Sequence, residues 1–307
     1  MTIARSAFLT GSIAATCLLA GGRASAAALE PVAIGLVPTS DLLPAILAKD
    51  EGFFTRHGLD VNVQILPFPP TIVGALRGGS IQFGALTATA FLLANAGGLD
   101  LVAVSGAVRE NRKSPRTSVV ARSGSNIKTA ADFTGKRVGV PGISSVLDIM
   151  FRYYLTKNHV DVKAVSIVEA PFATAPDMLK SGALDAVCTA DPFRGLILKS
   201  GEGYKVADYW SDIHDNTLGL FWVATRDWAA KHRDEITAFR GSLRDGVAFS
   251  LSNPDKARES EQRAFKVASP LTTYDLSLST ADFAYYIGVL KTLGMLEAPL
   301  DASRFVF

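Results

Sequence analysis

The feature that most limits the possible folds is an internal duplication. The run Leu66-Pro67-Phe68, followed by Ala75-Leu76-Arg77-Gly78-Gly79-Ser80-Ile81-Gln82-Phe83, returns as Ala170-Pro171-Phe172, followed by Met178-Leu179-Lys180-Ser181-Gly182-Ala183-Leu184-Asp185-Ala186. Upstream, Thr55-Arg56-His57-Gly58-Leu59-Asp60-Val61 is echoed by Thr156-Lys157-Asn158-His159-Val160-Asp161-Val162, and Ile34-Gly35-Leu36 by Val138-Gly139-Val140. The period is far longer than the roughly 20–50 residues of a solenoid unit, so it fits duplication of a whole α/β lobe. Two similar lobes imply a cleft between them, a common place for a small ligand.

Local patterns support alternating strands and helices, the order of parallel α/β sheets. Val32–Val37 reads as a buried strand, and Ser40 or Asp41 is placed to cap the following helix through Ile46 and Leu47. Leu59, Val61, Val63 and Ile65 alternate with polar residues, giving a strand with one polar face. Further strands are expected over Ile81–Leu86, Leu101–Ser105, Thr117–Arg122, Lys136–Val140, Val165–Val168 and Leu184–Thr189. Gly219–Thr225 resembles Ser118–Ala121, as two strands near the crossing points between lobes would. Beyond Asp227, Ile236, Phe239, Leu243, Val247 and Leu251 form a helical stripe, and Ser279-Thr280-Ala281-Asp282 caps a last helix that stops near Gly294.

Arg5 precedes a run of small and apolar residues from Ser6 to Gly22, and Ala24-Ser25-Ala26 has the small-x-small form of a cleavage site. Residues 1–26 therefore read as a secretory signal peptide, with Cys17 poorly placed for lipid attachment after Thr16. Of 31 basic residues, Arg5 and Arg23 leave with that segment, and the remaining 29 balance 29 acidic ones. A neutral chain argues against bulk capture of nucleic acid. The dense basic run Arg109-Glu110-Asn111-Arg112-Lys113-Ser114-Pro115-Arg116 reads as a solvated loop between lobes, with steering of anions as the alternative.

Cys188 is the one cysteine outside the signal segment and sits in an apolar run, as a core residue does. His57, His159, His214 and His232 lack metal-ligand spacing, so neither a metal nor a cofactor is expected. No GxxxxGK[ST] motif occurs in the sequence, so any energy for transport must come from a separate ATPase.

Three strings carry a resemblance to a known family. They are Pro44-Ala45-Ile46-Leu47-Ala48-Lys49-Asp50-Glu51-Gly52-Phe53-Phe54 with Gly58-Leu59-Asp60-Val61, then Ala131-Asp132-Phe133-Thr134-Gly135-Lys136-Arg137-Val138-Gly139-Val140, then Ser181-Gly182-Ala183-Leu184-Asp185-Ala186-Val187. In this order they resemble the substrate-binding proteins of nitrate, sulfonate and taurine ABC transporters. The resemblance implies a type II periplasmic binding protein: two α/β lobes around a cleft, the central lobe inserted into the first. The corresponding divisions are 27–115 and 227–307 for the first lobe and 116–226 for the second. It further implies a periplasmic, non-catalytic receptor working with an ABC permease and its ATPase, with a monomer as the default state. Thiamine-pyrimidine synthases share the fold, but their cysteine-rich motif has no counterpart here.

In open parallel α/β sheets ligands sit beyond the carboxyl ends of the strands, where helix N-termini favour an anionic head. The candidate contacts are therefore Thr39, Ser40, Asp41, Phe68, Thr87, Ala88, Thr89, Gly142, Ser144, Ser145, Phe172, Asp191 and Trp222. The hydroxyl residues serve equally well as helix caps, and the aromatics as core. Phe68 and Phe172, which follow equivalent strands, are expected to approach the cleft from opposite sides. A sulfonate or carboxylate with an organic tail is favoured, with a pyrimidine, an aromatic compound or nitrate as alternatives.

Overall fold

A computed structural model describes residues 29–66, 69–266, 273–297 and 299–307. The signal segment 1–26 and the candidate Phe68 lie outside the described residues. The strands are β1 (Glu30–Leu36), β2 (Leu59–Ile65), β3 (Phe83–Thr87), β4 (Leu101–Gly106), β5 (Arg109–Glu110), β6 (Thr117–Arg122), β7 (Arg137–Val140), β8 (Ser166–Glu169), β9 (Ala186–Ala190), β10 (Gly203–Ala207), β11 (Thr217–Leu218) and β12 (Leu220–Thr225). Ten of them form two five-stranded sheets, ordered β2-β1-β3-β12-β4 and β8-β7-β9-β6-β10, and β5 and β11 form a two-stranded ladder.

Written this way the duplication is visible position by position. The first three strands of each sheet are parallel, and the fourth, β12 or β6, is antiparallel to its neighbours. Gly35 on β1 faces Gly84 on β3, and Gly139 on β7 faces Val187 on β9. A Cβ on Gly35 would meet Ile81 at 2.6 Å and Leu66 at 3.2 Å; one on Gly139 would meet Leu184 at 2.7 Å and Ala170 at 2.8 Å. These are the same repeat positions, so both copies keep glycine to let the next connection cross closely over the first strand.

The two fourth strands come from the segments that cross between lobes. β12 lies inside the stretch through 226 expected of the second lobe, yet it pairs with β3 and β4 of the first sheet. The reason is non-local: an apolar strand at a crossing point fits either sheet by pattern, and the hydrogen-bond register decides. Just before β12 the crossing segments pair with each other as β5 and β11, Thr217 against Glu110 and Leu218 against Arg109. This short ladder is the junction of the lobes.

The basic run in this junction is only partly solvated. Arg109 is mostly buried and bonds both oxygens of Asp282 at 2.7 and 3.0 Å, Asp275 at 2.8 Å and the Asn216 carbonyl at 3.1 Å. Arg112 donates to the carbonyls of Ser211 and Asp212, both at 3.0 Å. The run is a strap held by its arginines, because carbonyls of the return crossing and acids at and before the start of helix Thr280–Thr292 lie within their reach.

The first C-terminal stripe is core over its N-terminal half, while Val247 is half-buried and Leu251 is exposed near the helix end. Helix Arg233–Ser252 buries Ile236, Phe239 and Leu243 and crosses helix Leu43–Asp50 at Gly246, where an added Cβ would stand 2.2 Å from the Pro44 carbonyl oxygen. Helix Thr280–Thr292 starts with a capping box between Ser279 and Asp282. The first of these helices stops at Ser252, and Pro254 opens another, Pro254–Phe265, as proline can at a first turn.

Candidate functional site

The loops after β1, β3, β7, β8 and β9 carry the sequence candidates, all at the carboxyl ends of parallel strands. After β1 the chain turns through Thr39, Ser40 and Asp41. Neither Ser40 nor Asp41 caps the helix Leu43–Asp50. The Ser40 hydroxyl donates to the buried Glu261 of helix Pro254–Phe265, the Ser40 carbonyl accepts from the Tyr274 hydroxyl at 3.1 Å, and the Asp41 N–H lies 3.5 Å from the Thr39 hydroxyl. Asp41 points its carboxylate away from its own sheet to form an ion pair with Arg116, the last residue before β6.

After β9 comes Asp191, whose carboxylate holds Arg194 through two bonds of 3.2 and 2.5 Å and whose N–H donates to the Arg116 carbonyl at 3.2 Å. The peptide bond between Asp191 and Pro192 is cis. Because β6 runs antiparallel to β9, its start lies beside the end of β9. The Arg116 guanidinium of the second sheet thus meets a carboxylate of the first, with the Asp191 turn bonded to its backbone. Burial pushes Arg116 down to about 10, Arg194 adds to the depression, and Tyr274 and Asp191 oppose it.

An aromatic pair adjoins this charged cluster. Phe172, in the loop after β8, stacks on Phe193, two residues beyond Asp191, with ring centroids 5.6 Å apart and planes 7° from parallel. Both rings are half-buried. Thr87 and Thr89, around the end of β3, are buried with their hydroxyls 3.4 Å apart, and Ala88 between them is fully buried.

The loop after β7 has a different character. Ser145 caps helix Val146–Lys157 by accepting from the Asp148 N–H at 3.3 Å. Ser144, at φ +63°, donates its N–H to the Asp148 carboxylate at 2.8 Å, and the Ile143 N–H donates to Glu169 at 3.2 Å. Gly142 opens this turn, its carbonyl accepting from the Ser145 N–H. The protein's own carboxylates thus already take N–H groups at this helix start.

Trp222 is a correction. It lies mid-strand in β12, 1% exposed, with its ring edge-on to Phe239 at 5.2 Å, so it fills the core of the first lobe. A central strand with helices on its covered face leaves no solvent at that position. Conversely, Arg116, Arg194, Phe193 and Tyr274 were not singled out from the sequence. Arg116 stood within the basic run, and Phe193 follows Asp191-Pro192, so both carried a local signal; Tyr274 carried none.

Next to Arg116, the Glu110 carboxyl is 3% exposed and accepts from the N–H groups of Arg116 and Thr117 at 2.9 and 3.3 Å. Burial pushes its pKa up to about 7 despite these bonds. Cys188, in the middle of β9, is fully buried, and burial raises its thiol well above the usual range, so it offers no thiolate.

Known structures share this architecture. The periplasmic aliphatic sulphonate binding protein SsuA of Escherichia coli superposes with a TM-score of 0.77 at 20% identity, covering 90% of this chain and 97% of that one. The periplasmic nitrate-binding protein NrtA of Synechocystis PCC 6803 gives 0.74 at 15% identity, covering 89% and 84%. In sequence, a candidate binding protein of Brucella abortus (strain 2308) is 25% identical over 277 residues, 84% of each chain. The fold is that of the periplasmic binding proteins. The family described as NMT1/THI5 like matches residues 39–257, from the Thr39 turn through the Asp191 loop and beyond, and the chain belongs to that family.

Proposed function

We propose that this protein is a periplasmic solute-binding receptor that captures a small organic anion of the sulfonate or carboxylate type and delivers it, unchanged, to an ABC permease driven by a separate ATPase. The observation that carries this reading is the arrangement at the facing sheet ends: a desolvated guanidinium, Arg116 of the second sheet, met by Asp41 of the first, with the stacked rings of Phe172 and Phe193 adjoining the Asp191 turn bonded to the Arg116 backbone. A charged head suits the first and an apolar tail the second. The turn and strand-end residues Thr39, Ser40, Thr87, Ala88, Thr89, Gly142, Ser144 and Ser145 complete the proposed contact set, and Phe68 belongs to it by its place in the repeat. Closure of the two lobes about the β5–β11 junction would sequester the solute, by the hinge motion with which periplasmic binding proteins as a class close around their ligands. The sulfonate- and nitrate-binding proteins of the same fold, and the candidate binding protein from Brucella, support the class.

The test is a thermal-shift screen of the purified protein against alkanesulfonates, taurine, alkanecarboxylates, nitrate, pyrimidines and aromatic acids. A solute at a hundred times its dissociation constant adds roughly 2.7 kcal/mol of stability. Stabilisation by an organic anion, recovered chemically unchanged, is the expected result. Stabilisation by neutral pyrimidines alone, or protein-dependent turnover, refutes the reading.

A further inference from the structure

Three of the arginines near the junction are held in different ways. Arg109 is held by a fork of two bonds to Asp282, and Arg194, in the first turn of helix Phe193–Ser200, by a fork to Asp191 three residues before it. Arg116 instead meets a carboxylate from the opposite sheet, that of Asp41, and both side chains are largely withdrawn from water, at 16% and 13% exposure. Asp41 belongs to a three-residue 3-10 turn, Ser40–Leu42, outside the regular helix that follows, so its carboxylate can leave without breaking helix bonds.

A buried ion pair gains little overall, because its attraction roughly offsets the loss of hydration. Exchanging one oxyanion for another at the same guanidinium is therefore close to balanced, and contacts made by the rest of the solute tip it. The ring pair Phe172–Phe193 adjoins the same loop as Asp191 and supplies such contacts.

We infer that Arg116 is the counter-ion for the anionic head of the solute, and that Asp41 is an internal surrogate which the solute displaces. This rests on the reading of the protein as an organic-anion receptor. It makes Arg116 the residue that sets selectivity for charge, and Asp41 a built-in competitor that limits affinity.

The probes are ethanesulfonate, hexanesulfonate and butyrate, with butanol and butylammonium as controls, titrated calorimetrically into the wild type, Arg116→Gln, Arg116→Lys and Asp41→Asn. Arg116→Gln should lose tenfold or more in affinity for the anions, Arg116→Lys should lose less, and Asp41→Asn should gain about tenfold. A gain on removing Asp41 cannot come from misfolding, and melting curves of each variant separate lost binding from lost fold. Anion binding by the wild type that is unchanged in Arg116→Gln would overturn the assignment of Arg116 while leaving the receptor reading intact. Equal weakening in Asp41→Asn and Arg116→Gln would overturn the displacement. Binding of butylammonium or butanol with no response to any anion, in the wild type and in Asp41→Asn, would defeat both.

Discussion

Replacing Glu110 by Gln should stabilise the protein above neutral pH and have little effect near pH 4.5. The carboxyl is buried in the β5–β11 junction, where its pKa rises from 4.5 to about 7. The cause is loss of hydration, only partly offset by the N–H groups of Arg116 and Thr117, the Thr117 hydroxyl and the charge of Arg194. The phenols of Tyr209 and Tyr286 lie within its field. The folded chain thus holds this proton more tightly than the unfolded chain. The stability it contributes is fully present below pH 4.5 and is lost as pH rises through 7. A difference of about 2.5 pH units at 1.36 kcal/mol each gives roughly 3 kcal/mol as the full loss. Gln keeps an oxygen to accept from both N–H groups and cannot ionise. Melting temperatures of wild type and Glu110→Gln, measured from pH 4.5 to 8.5, should diverge up to about pH 7 and then run parallel, separated by about 6 °C at roughly 2 °C per kcal/mol. A constant offset across the range, or a variant less stable at every pH, would refute the argument.

Trp222→Ala should cost about 3–5 kcal/mol in urea unfolding while the folded fraction binds solute as before, because the ring lies in the first lobe's core. Phe172→Ala should do the reverse: hexanesulfonate affinity, measured calorimetrically, should fall by about 1–3 kcal/mol with little change in melting. Gly246→Ala should lower the unfolding free energy measured in urea by about 1–3 kcal/mol, against the usual gain of about 1 kcal/mol for this change in a helix, since the new methyl meets the backbone of Pro44. Arg109→Gln should destabilise the junction by about 3–5 kcal/mol in the same assay, because Asp282 is left buried and unpaired.

Legible in the residues alone were the duplication, the β-strands whose buried residues alternate or run together, the Ser279–Asp282 cap and the turns that follow the parallel strands. These are legible because they depend on spacing along the chain: side-chain alternation in a strand, the three- and four-residue rise of a helix, and the bond from Ser279 to its own helix start. Gly35 and Gly139 could be aligned as repeats, though the reason for glycine, the crossing of Ile81 and Leu184, appears only in three dimensions. Tertiary structure alone decided which sheet takes β12, why Trp222 faces the core, and how Asp41 finds Arg116. An apolar strand reads the same whichever neighbours it pairs with, and only the hydrogen-bond ladder to β3 and β4 fixes its sheet and its inward face. The meeting of Asp41 and Arg116 depends on two separate sheets presenting their edges to each other, a distance in space that no local spacing encodes.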